Sequence, residues 1–476
     1  MTTKPYAYQK KGVRKIQHFR GRALLADDMG LGKTFQSWLW RKRFQPGSKT
    51  VVVCPAVVKE NWVREAAQHV GERVEALYGQ KPPARRGRTH TLSDRTRAFI
   101  INYDILGAGR RGKSWLKLLR RWKPDLVIVD EIQNIKTRTA KRTKWVRELC
   151  RGVKHVVGLG GTAGVENCPA ELFPFLNIVR PDIFDSFFAF AKEYCNPKRT
   201  PWGWDFRGSK NLDKLHPLLL RTCMIRRKKS DVLKDLPAKT RSVVPLLIPR
   251  LKEYKEAEKD IIRFLAKVSK KKARKAAKAE KLVKIGHLKR LAAELKLGQV
   301  VRWVEDFREA NPGGKLLLFG VHKSVLRPVF ERFKRSAVLV TGEVTGKKRQ
   351  AAIDRFNTDP KCWLFVGNTQ AAGVGWSCRS ASTVVFCELD WTPGRHVQAE
   401  DRVYGLKRGV AGVPVTVYYL VAKGAIEEQL CRILQTKQKN LDAILDGGSS
   451  TSSFDIMAEL ERALLAGTSK TPSGRK

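Results

Sequence analysis

Leu24-Leu25-Ala26-Asp27-Asp28-Met29-Gly30-Leu31-Gly32-Lys33-Thr34 passes from an apolar run through two glycines to a cation and a hydroxyl. Gly30 and Gly32 let successive backbone N–H groups turn toward one point. The start of a helix adds the positive end of its dipole there, so the segment predicts a strand, an anion-binding loop and a helix. In such a cradle Lys33 reaches the β- and γ-phosphates of a nucleoside triphosphate, and the Thr34 hydroxyl ligates Mg2+. Asp28, Met29, Gly30, Leu31 and Gly32 then frame the phosphates. The strict GxxxxGK[ST] pattern is not met, because Asp27 stands where its first glycine belongs, and a plain glycine-rich strand–helix turn has the same local composition.

Roughly a hundred residues onward, Asp125-Leu126-Val127-Ile128-Val129-Asp130-Glu131 reads as a buried strand ending in two adjacent carboxylates. Opposite a phosphate loop, Asp130 is suited to hold the metal and Glu131 to orient and deprotonate an attacking water. Gln9, in Tyr6-Ala7-Tyr8-Gln9, lies upstream and can pair with the adenine edge. Positive charge for the transferring phosphate has no candidate in this half.

Around these motifs short apolar runs alternate with helical spacing. They fall at residues 22–26, 50–53, 98–102, 126–129 and 155–159, and again at 315–319, 337–340, 362–366, 383–386 and 415–421. Continuous apolar strands separated by helices predict parallel sheets covered on both faces, hence two α/β lobes. Between them, from 251 to about 307, no strand pattern occurs. The stretch containing Ser269-Lys270-Lys271-Lys272-Ala273-Arg274-Lys275 reads as a basic helix, either a solvated face or a phosphate contact. Boundaries are expected at 1–240 for the ATP-binding lobe, 241–306 for the linker and basic helical segment, 307–440 for the second lobe, and 441–476 for a flexible tail with a short helix.

Composition narrows the partner. In 476 residues, 94 Lys and Arg face 45 Asp and Glu, a formal charge of +49 that points to a polyanion, nucleic acid first. With 42% hydrophobic residues the chain can still fill sizeable cores. No apolar run approaches membrane-helix length, and the N-terminus lacks a signal-peptide core. Nine cysteines without any CxxC pair predict no zinc site and mostly buried thiols in a reducing compartment.

These residues resemble a known family. Asp27 to Thr34, then Asp130-Glu131-Ile132-Gln133, then Gly160-Gly161-Thr162-Ala163 resemble motifs I, II and III of helicase superfamily two of Swi/Snf type. Gly373-Val374-Gly375 and Gln398-Ala399-Glu400-Asp401-Arg402 resemble motifs V and VI. Pro201-Trp202-Gly203-Trp204-Asp205-Phe206, Ile225-Arg226-Arg227-Lys228-Lys229-Ser230-Asp231, Phe319-Gly320-Val321-His322-Lys323 and Glu388-Leu389-Asp390-Trp391-Thr392-Pro393-Gly394 look like the annealing-helicase, or HARP-like, subgroup.

The resemblance implies two RecA-like parallel-sheet lobes with a helical basic insertion between them. It also implies ATP and Mg2+ as cofactors and a motor that moves on, remodels or anneals double-stranded or forked DNA. Gln398 and Arg402 would face ATP from the second lobe, with Arg402 supplying the missing transition-state charge. Pro55, Lys59, Trp62, Asn102 and Tyr103 from the first lobe would meet the DNA backbone, as would His322, Lys323, Thr341, Gly342, Asn368 and Thr369 from the second. Trp62 can equally be core and Lys323 a solvated cation. A metal role for His322 finds no nearby Cys or His.

Some positions depart from the family pattern. Gly405 occupies the place of a second motif VI arginine, so Lys407 or Arg408 compensates or turnover is slow. Gln133 replaces a histidine and Ala163 a proline. Alternatives to a duplex translocase are a strand-separating DNA or RNA helicase and a basic nucleic-acid binder with a decayed ATPase. A monomer without zinc or membrane attachment is expected, in the cytoplasm of a bacterial or phage-infected cell, or in the nucleus if the host is eukaryotic.

Overall fold

The computed structural model describes residues 4–446, 460 and 464, apart from 72–73, 81, 83–91, 93–94, 109–113, 162–164, 166–167, 201–202, 234–235, 270–274, 345, 373–375, 377 and 406–412. Thr162 and Ala163, Gly373 to Gly375, Lys407 and Arg408, the basic run 270–274 and most of the tail therefore lie outside the described residues. The chain divides into two compact units, Met1–Asp235 with Lys439–Phe454 and Leu236–Gln438 with Asp455–Lys476.

In the first unit the strands are β1 (Arg22–Leu25), β2 (Thr50–Cys54), β3 (Glu75–Ala76), β4 (Ala98–Asn102), β5 (Leu126–Asp130) and β6 (His155–Leu159). A two-stranded ribbon follows, β7 (Lys198–Thr200) and β8 (Gly203–Asp205), and then β9 (Met224–Ile225). Seven strands form a parallel sheet in the order β3-β4-β2-β5-β6-β1-β9. Every residue of β2, β4 and β6 is buried, as helices on both faces require of a sheet with no solvent side. Its core runs from Leu24 and Val51 through Phe99, Val127 and Phe175 to Leu445, so the last turn of the long helix Ile426–Asp446 packs in this unit. The tail boundary expected at 440 falls inside that helix.

The second unit holds β10 (Lys239–Leu246), β11 (Leu316–Gly320), β12 (Ala337–Val340), β13 (Leu364–Asn368), β14 (Thr383–Phe386) and β15 (Val415–Ala422). They form a parallel sheet in the order β10-β15-β14-β11-β13-β12. Three helices, Leu251–Ser269, Lys275–Leu295 and Leu297–Ala310, fill the strandless middle. Two parallel α/β sheets are thus the RecA-like pair that the apolar rhythm and the motifs led us to expect. β10 straddles the boundary expected at 240 and runs into the stretch read as linker, because its first half carries Lys239 and Arg241 and its short apolar half, Val243 to Leu246, is interrupted by Pro245. All nine cysteines are free thiols, and eight are buried. Among the described residues no helix is long and apolar enough to cross a membrane.

Candidate functional site

Register puts the first candidate site in a row. Leu25 of β1 and Asp130 of β5 both pair with Leu159 of β6, so these three parallel strands end level. The segments leaving them therefore share one edge of the sheet, about 10 Å from first to third. After β1 the chain turns through Gly30 (φ 89°) and Gly32 (φ 74°), left-handed conformations that a side chain would strain, and enters the helix Lys33–Phe44. A Cβ built on Gly161, just after β6, would stand 2.6 Å from Met29 Cγ and 3.7 Å from Lys33 Nζ, so the motif III glycine packs against the phosphate loop.

Lys33 Nζ donates to the carbonyls of Asp27 (2.7 Å) and Asp28 (3.2 Å). Burial lowers its pKa, opposed by the nearby carboxylates of Glu131, Asp27, Asp28 and Asp130. Lys33, Asp130 and Glu131 therefore share one electrostatic neighbourhood. Burial, reinforced by Glu131, pushes Asp130 up to about 7, against a hydrogen bond from Trp62 Nε1 at 2.8 Å and the charge of Lys33. Glu131 sits at φ 53°, an unusual conformation for a non-glycine residue, which turns its side chain off the line of β5. Gln133 Nε2 holds Glu131 Oε2 at 2.7 Å, while Gln133 Oε1 is buried without a partner among the described residues. The Gln133 amide thus couples to the acid beside it.

Gln9 lies over the loop. Its Oε1 accepts from the Tyr6 N–H at 3.0 Å, its Nε2 donates to the Leu31 carbonyl at 3.2 Å, and Nε2 stands 2.5 Å from where a Gly32 Cβ would be. Tyr6 is exposed and stacks on Tyr8, with ring centroids 5.7 Å apart.

Two residues of this site carry no local sign of their role. β9 extends the ladder beside β1, with the Asp28 N–H donating to the Arg227 carbonyl at 3.0 Å, and so delivers two arginines to two aspartates. Arg227 pairs with Asp27 and also donates to Gln36 Oε1 at 2.7 Å and to the Tyr8 carbonyl. Arg226 donates to Asp28 Oδ1 at 2.5 Å and to Asp446 Oδ1 at 2.9 Å. The Lys229 N–H holds Asp28 Oδ2 at 2.9 Å. Asp27 thus fills the place of the pattern's first glycine as a buried, neutralised anchor. Besides the resemblance of Ile225–Asp231 to the annealing-helicase subgroup, the sequence signal is the charge match between Asp27-Asp28 and a distant Arg226-Arg227.

The side chains expected to touch DNA from this unit are mostly interior. Trp62 is buried, set edge to face against Trp38 at 5.7 Å, and bonded to Asp130, which agrees with its core reading. Tyr103, also buried, donates from its hydroxyl to the Asp130 carbonyl at 2.5 Å. Lys59 is buried with Nζ on the Leu77 carbonyl at 2.7 Å. Asn102 is buried and Pro55 half-buried.

In the second unit the candidates also line up at strand ends. Gly320 pairs with Asn368, and Val340 with Gly367, which brings Thr341, Asn368, Thr369 and the Val321–His322 turn to one edge. Asn368 Nδ2 donates to the Val321 carbonyl at 2.6 Å and Thr369 Oγ1 to the Gly320 carbonyl at 3.0 Å. Thr341 and Thr369 are buried, Gly342 has open space where a Cβ would be, and Lys323 is exposed and paired with Glu343.

Beneath the turn, buried Glu388 accepts from the N–H groups of Val321 and His322 at 2.8 Å each and meets His322 Nδ1 at 2.6 Å. Burial raises its pKa, but these partners and Lys289 hold it below the usual carboxylate range. Glu388 positions the turn, a role that its place in Glu388–Gly394 does not betray. Lys289 is itself fully buried, with Nζ lacking a hydrogen-bond partner among the described residues and lying 5.2 Å from the Trp391 ring.

Motif VI is anchored from below. Burial of Glu400 is outweighed by Lys239 at 2.9 Å and Arg241 at 2.6 Å, which bring its pKa down to about 2. Gln398 is half-buried. Arg402 is buried, donating from Nε to the Gln398 carbonyl at 3.0 Å and from Nη1 to the Trp376 carbonyl. Its guanidinium is held inside its own unit. Gly405 has φ 146°, in the region that favours glycine, so the turn itself calls for the residue that replaces the expected arginine.

Residues 8–297 match the SNF2-related domain and residues 296–405 the helicase conserved C-terminal domain. The chain is 32% identical over 457 residues to the SWI/SNF-related matrix-associated actin-dependent regulator of chromatin subfamily A-like protein 1 of Xenopus laevis, covering 95% of this chain and 45% of that protein. It is 29% identical over 457 residues to the DNA annealing helicase and endonuclease ZRANB3 of Mus musculus, covering 94% of this chain and 41% of that protein. It therefore spans less than half the length of these relatives. A solved Sulfolobus solfataricus SWI2/SNF2 ATPase core in complex with dsDNA is 23% identical, covering 94% of this chain and 96% of that one, with a TM-score of 0.42. With the first domain matching more than half of the chain and the second following on from it, the chain belongs to the SNF2-related family.

Proposed function

We propose that the chain is an ATP-dependent translocase on double-stranded DNA that remodels or anneals it. The observation that carries this reading is the convergence of the glycine loop, Lys33, Gly161, Asp130 and Glu131 at one sheet edge. Lys33 exchanges the Asp27 and Asp28 carbonyls for the β- and γ-phosphates, and the N–H groups of 28–34 cradle them. Gln9 reads adenine. Glu131, turned off its strand and steadied by Gln133, orients the attacking water and takes its proton. Gln398 and Arg402 act on ATP from the second unit, with Arg402 exchanging its carbonyl partners for phosphate.

Mg2+ fits the residues present. Asp130 is a buried carboxylate whose side chain is held by one neutral donor and pushed up by its acidic neighbour, so a cation beside it relieves the cost of its charge. Thr34 and Asp130 would hold the ion, which when bound neutralises charge on the phosphates.

The net charge of +49 supports a nucleic-acid partner bound mainly through phosphates, with affinity falling steeply in salt. The turn held by Glu388, with exposed Lys323 and half-exposed His322, is the DNA-facing element of the second unit, alongside Thr341, Gly342, Asn368 and Thr369. In the first unit Pro55, Lys59 and Asn102 lie nearest the corresponding strand ends, while Trp62 and Tyr103 act from inside by fixing Asp130. We take the working form to be a monomer in the cytoplasm of a bacterial or phage-infected cell, or in the nucleus of a eukaryotic host. Phosphate release measured without nucleic acid and with single-stranded DNA, duplex, forked DNA or RNA tests the reading. Stimulation by duplex, with displacement of a triplex third strand but no unwinding, is expected. No stimulation by any of them would make the chain a binder with a decayed ATPase.

A further inference from the structure

The ribbon β7–β8 stands outside both large sheets and carries chemistry that hydrolysis does not use. Its antiparallel register sets Arg199 opposite Trp204. Directly opposed residues share a face of a ribbon, so a cation and an indole lie side by side there. Trp204 is 50% exposed, and Phe188, on the helix Phe187–Tyr194, is 48% exposed. Their rings meet edge to face at 5.5 Å. Behind them Phe206 packs on Phe187 at 4.9 Å and Phe187 on buried Phe173 at 5.3 Å, so the exposed pair caps an aromatic stack rooted in the core.

Such rings stand in water, where apolar surface is unfavourable by about 25 cal/mol per Å2. The surroundings say what covers them. From Phe187 to Lys210 the chain carries Lys192, Lys198, Arg199, Arg207 and Lys210 against Glu193 and Asp205, and Arg207 already holds Asp205 at 2.8 Å. Apolar protein interfaces exclude charge from their centres, which this patch does not. Unpaired nucleobases offer a π-face to each ring and a phosphate to each neighbouring cation. Bases inside a duplex are already stacked and cannot reach the rings.

We propose that Phe188, Arg199 and Trp204 form a stacking platform for the unpaired bases of single-stranded or forked DNA. The inference rests on the motor reading only for DNA being the polymer that the chain binds.

The test uses the full chain with a single-stranded deoxyoligonucleotide carrying 2-aminopurine and a blunt duplex of equal length. Trp204→Ala and Phe188→Ala are each expected to lower the ratio of single-stranded to duplex affinity by about 5- to 150-fold, the range for losing one base–aromatic stack. They should also remove the quenching of 2-aminopurine that the wild type produces, and Trp204→Phe should restore most of both. An unchanged ratio, or equal loss on both DNAs, would overturn the proposal. A wild-type chain without duplex-stimulated hydrolysis would instead sink the motor reading and leave this comparison standing.

Discussion

Replacing Arg227 with alanine leaves Asp27 as a carboxylate with no exposed surface and no cationic hydrogen-bond partner among the described residues. Gln36 Nε2 still donates to it at 3.1 Å, but the Tyr8 carbonyl and Gln36 Oε1 lose the Arg227 donor. Breaking a buried pair from one side costs about 3–5 kcal/mol, and the surviving neutral bond sets the expectation at the lower end, about 3 kcal/mol. For a unit of this size that lowers Tm by roughly 6–12 °C. The reverse change, Asp27→Ala, strands a guanidinium whose side chain is 15% exposed and can turn to water, so it should cost less, about 1–2 kcal/mol. Thermal and urea unfolding of the full chain, followed through the transition of the first unit, reads both values. The double variant should lose less than the sum of the singles, because neither charge is then left alone. An Arg227→Ala protein within about 1 kcal/mol of wild type, or strictly additive losses, would refute the idea that this pair holds the phosphate loop.

Glu131→Gln should bind ATP normally yet hydrolyse it about 100- to 10,000-fold more slowly; phosphate release at the wild-type rate would transfer the base role to another group. Gly405→Arg should not raise turnover and should destabilise the second unit by about 1–3 kcal/mol, since φ 146° suits glycine; a faster, equally stable variant would show the turn to be adaptable. Arg408→Ala should sharply reduce DNA-stimulated hydrolysis, and unchanged turnover would remove Arg408 as the substitute for the missing arginine. Lys289→Met should stabilise the second unit by about 1–3 kcal/mol near neutral pH, because burial lowers the folded pKa of this ammonium, which has no hydrogen-bond partner among the described residues, more than the carboxylates of Glu388, Glu427 and Asp390 raise it. As the folded pKa lies below the unfolded one, wild-type stability rises with pH between the two, so the advantage should shrink as pH climbs toward the ordinary lysine range. An advantage independent of pH in unfolding curves would point to packing alone.

What the sequence made legible is what depends on neighbours along the chain. The ten apolar runs reappear as β1, β2, β4, β5 and β6 and as β11 to β15, since a strand buried on both faces has to be continuously apolar. The glycines and lysine of the phosphate loop were readable for the same local reason. β9 has two residues, and β10 is a mostly exposed edge strand whose apolar half is broken by Pro245, so neither reads as a buried strand. Pairings across 200 residues, such as Arg227 with Asp27, leave only matching charges behind. Trp62 illustrates the harder case. An aromatic on the helix that follows a strand suits a groove or a core equally, and its burial, its packing on Trp38 and its bond to Asp130, 68 residues on, assign it to the interior.

The tie between Asp27 and Arg227 also orders events during synthesis. The loop that holds ATP leaves the ribosome early, yet its anchoring cations emerge some 200 residues later. A nascent chain stalled before β9 should carry every glycine and lysine of the motif and still fail to retain nucleotide. Competence would then arrive abruptly, when the last strand of the first sheet docks beside the earliest.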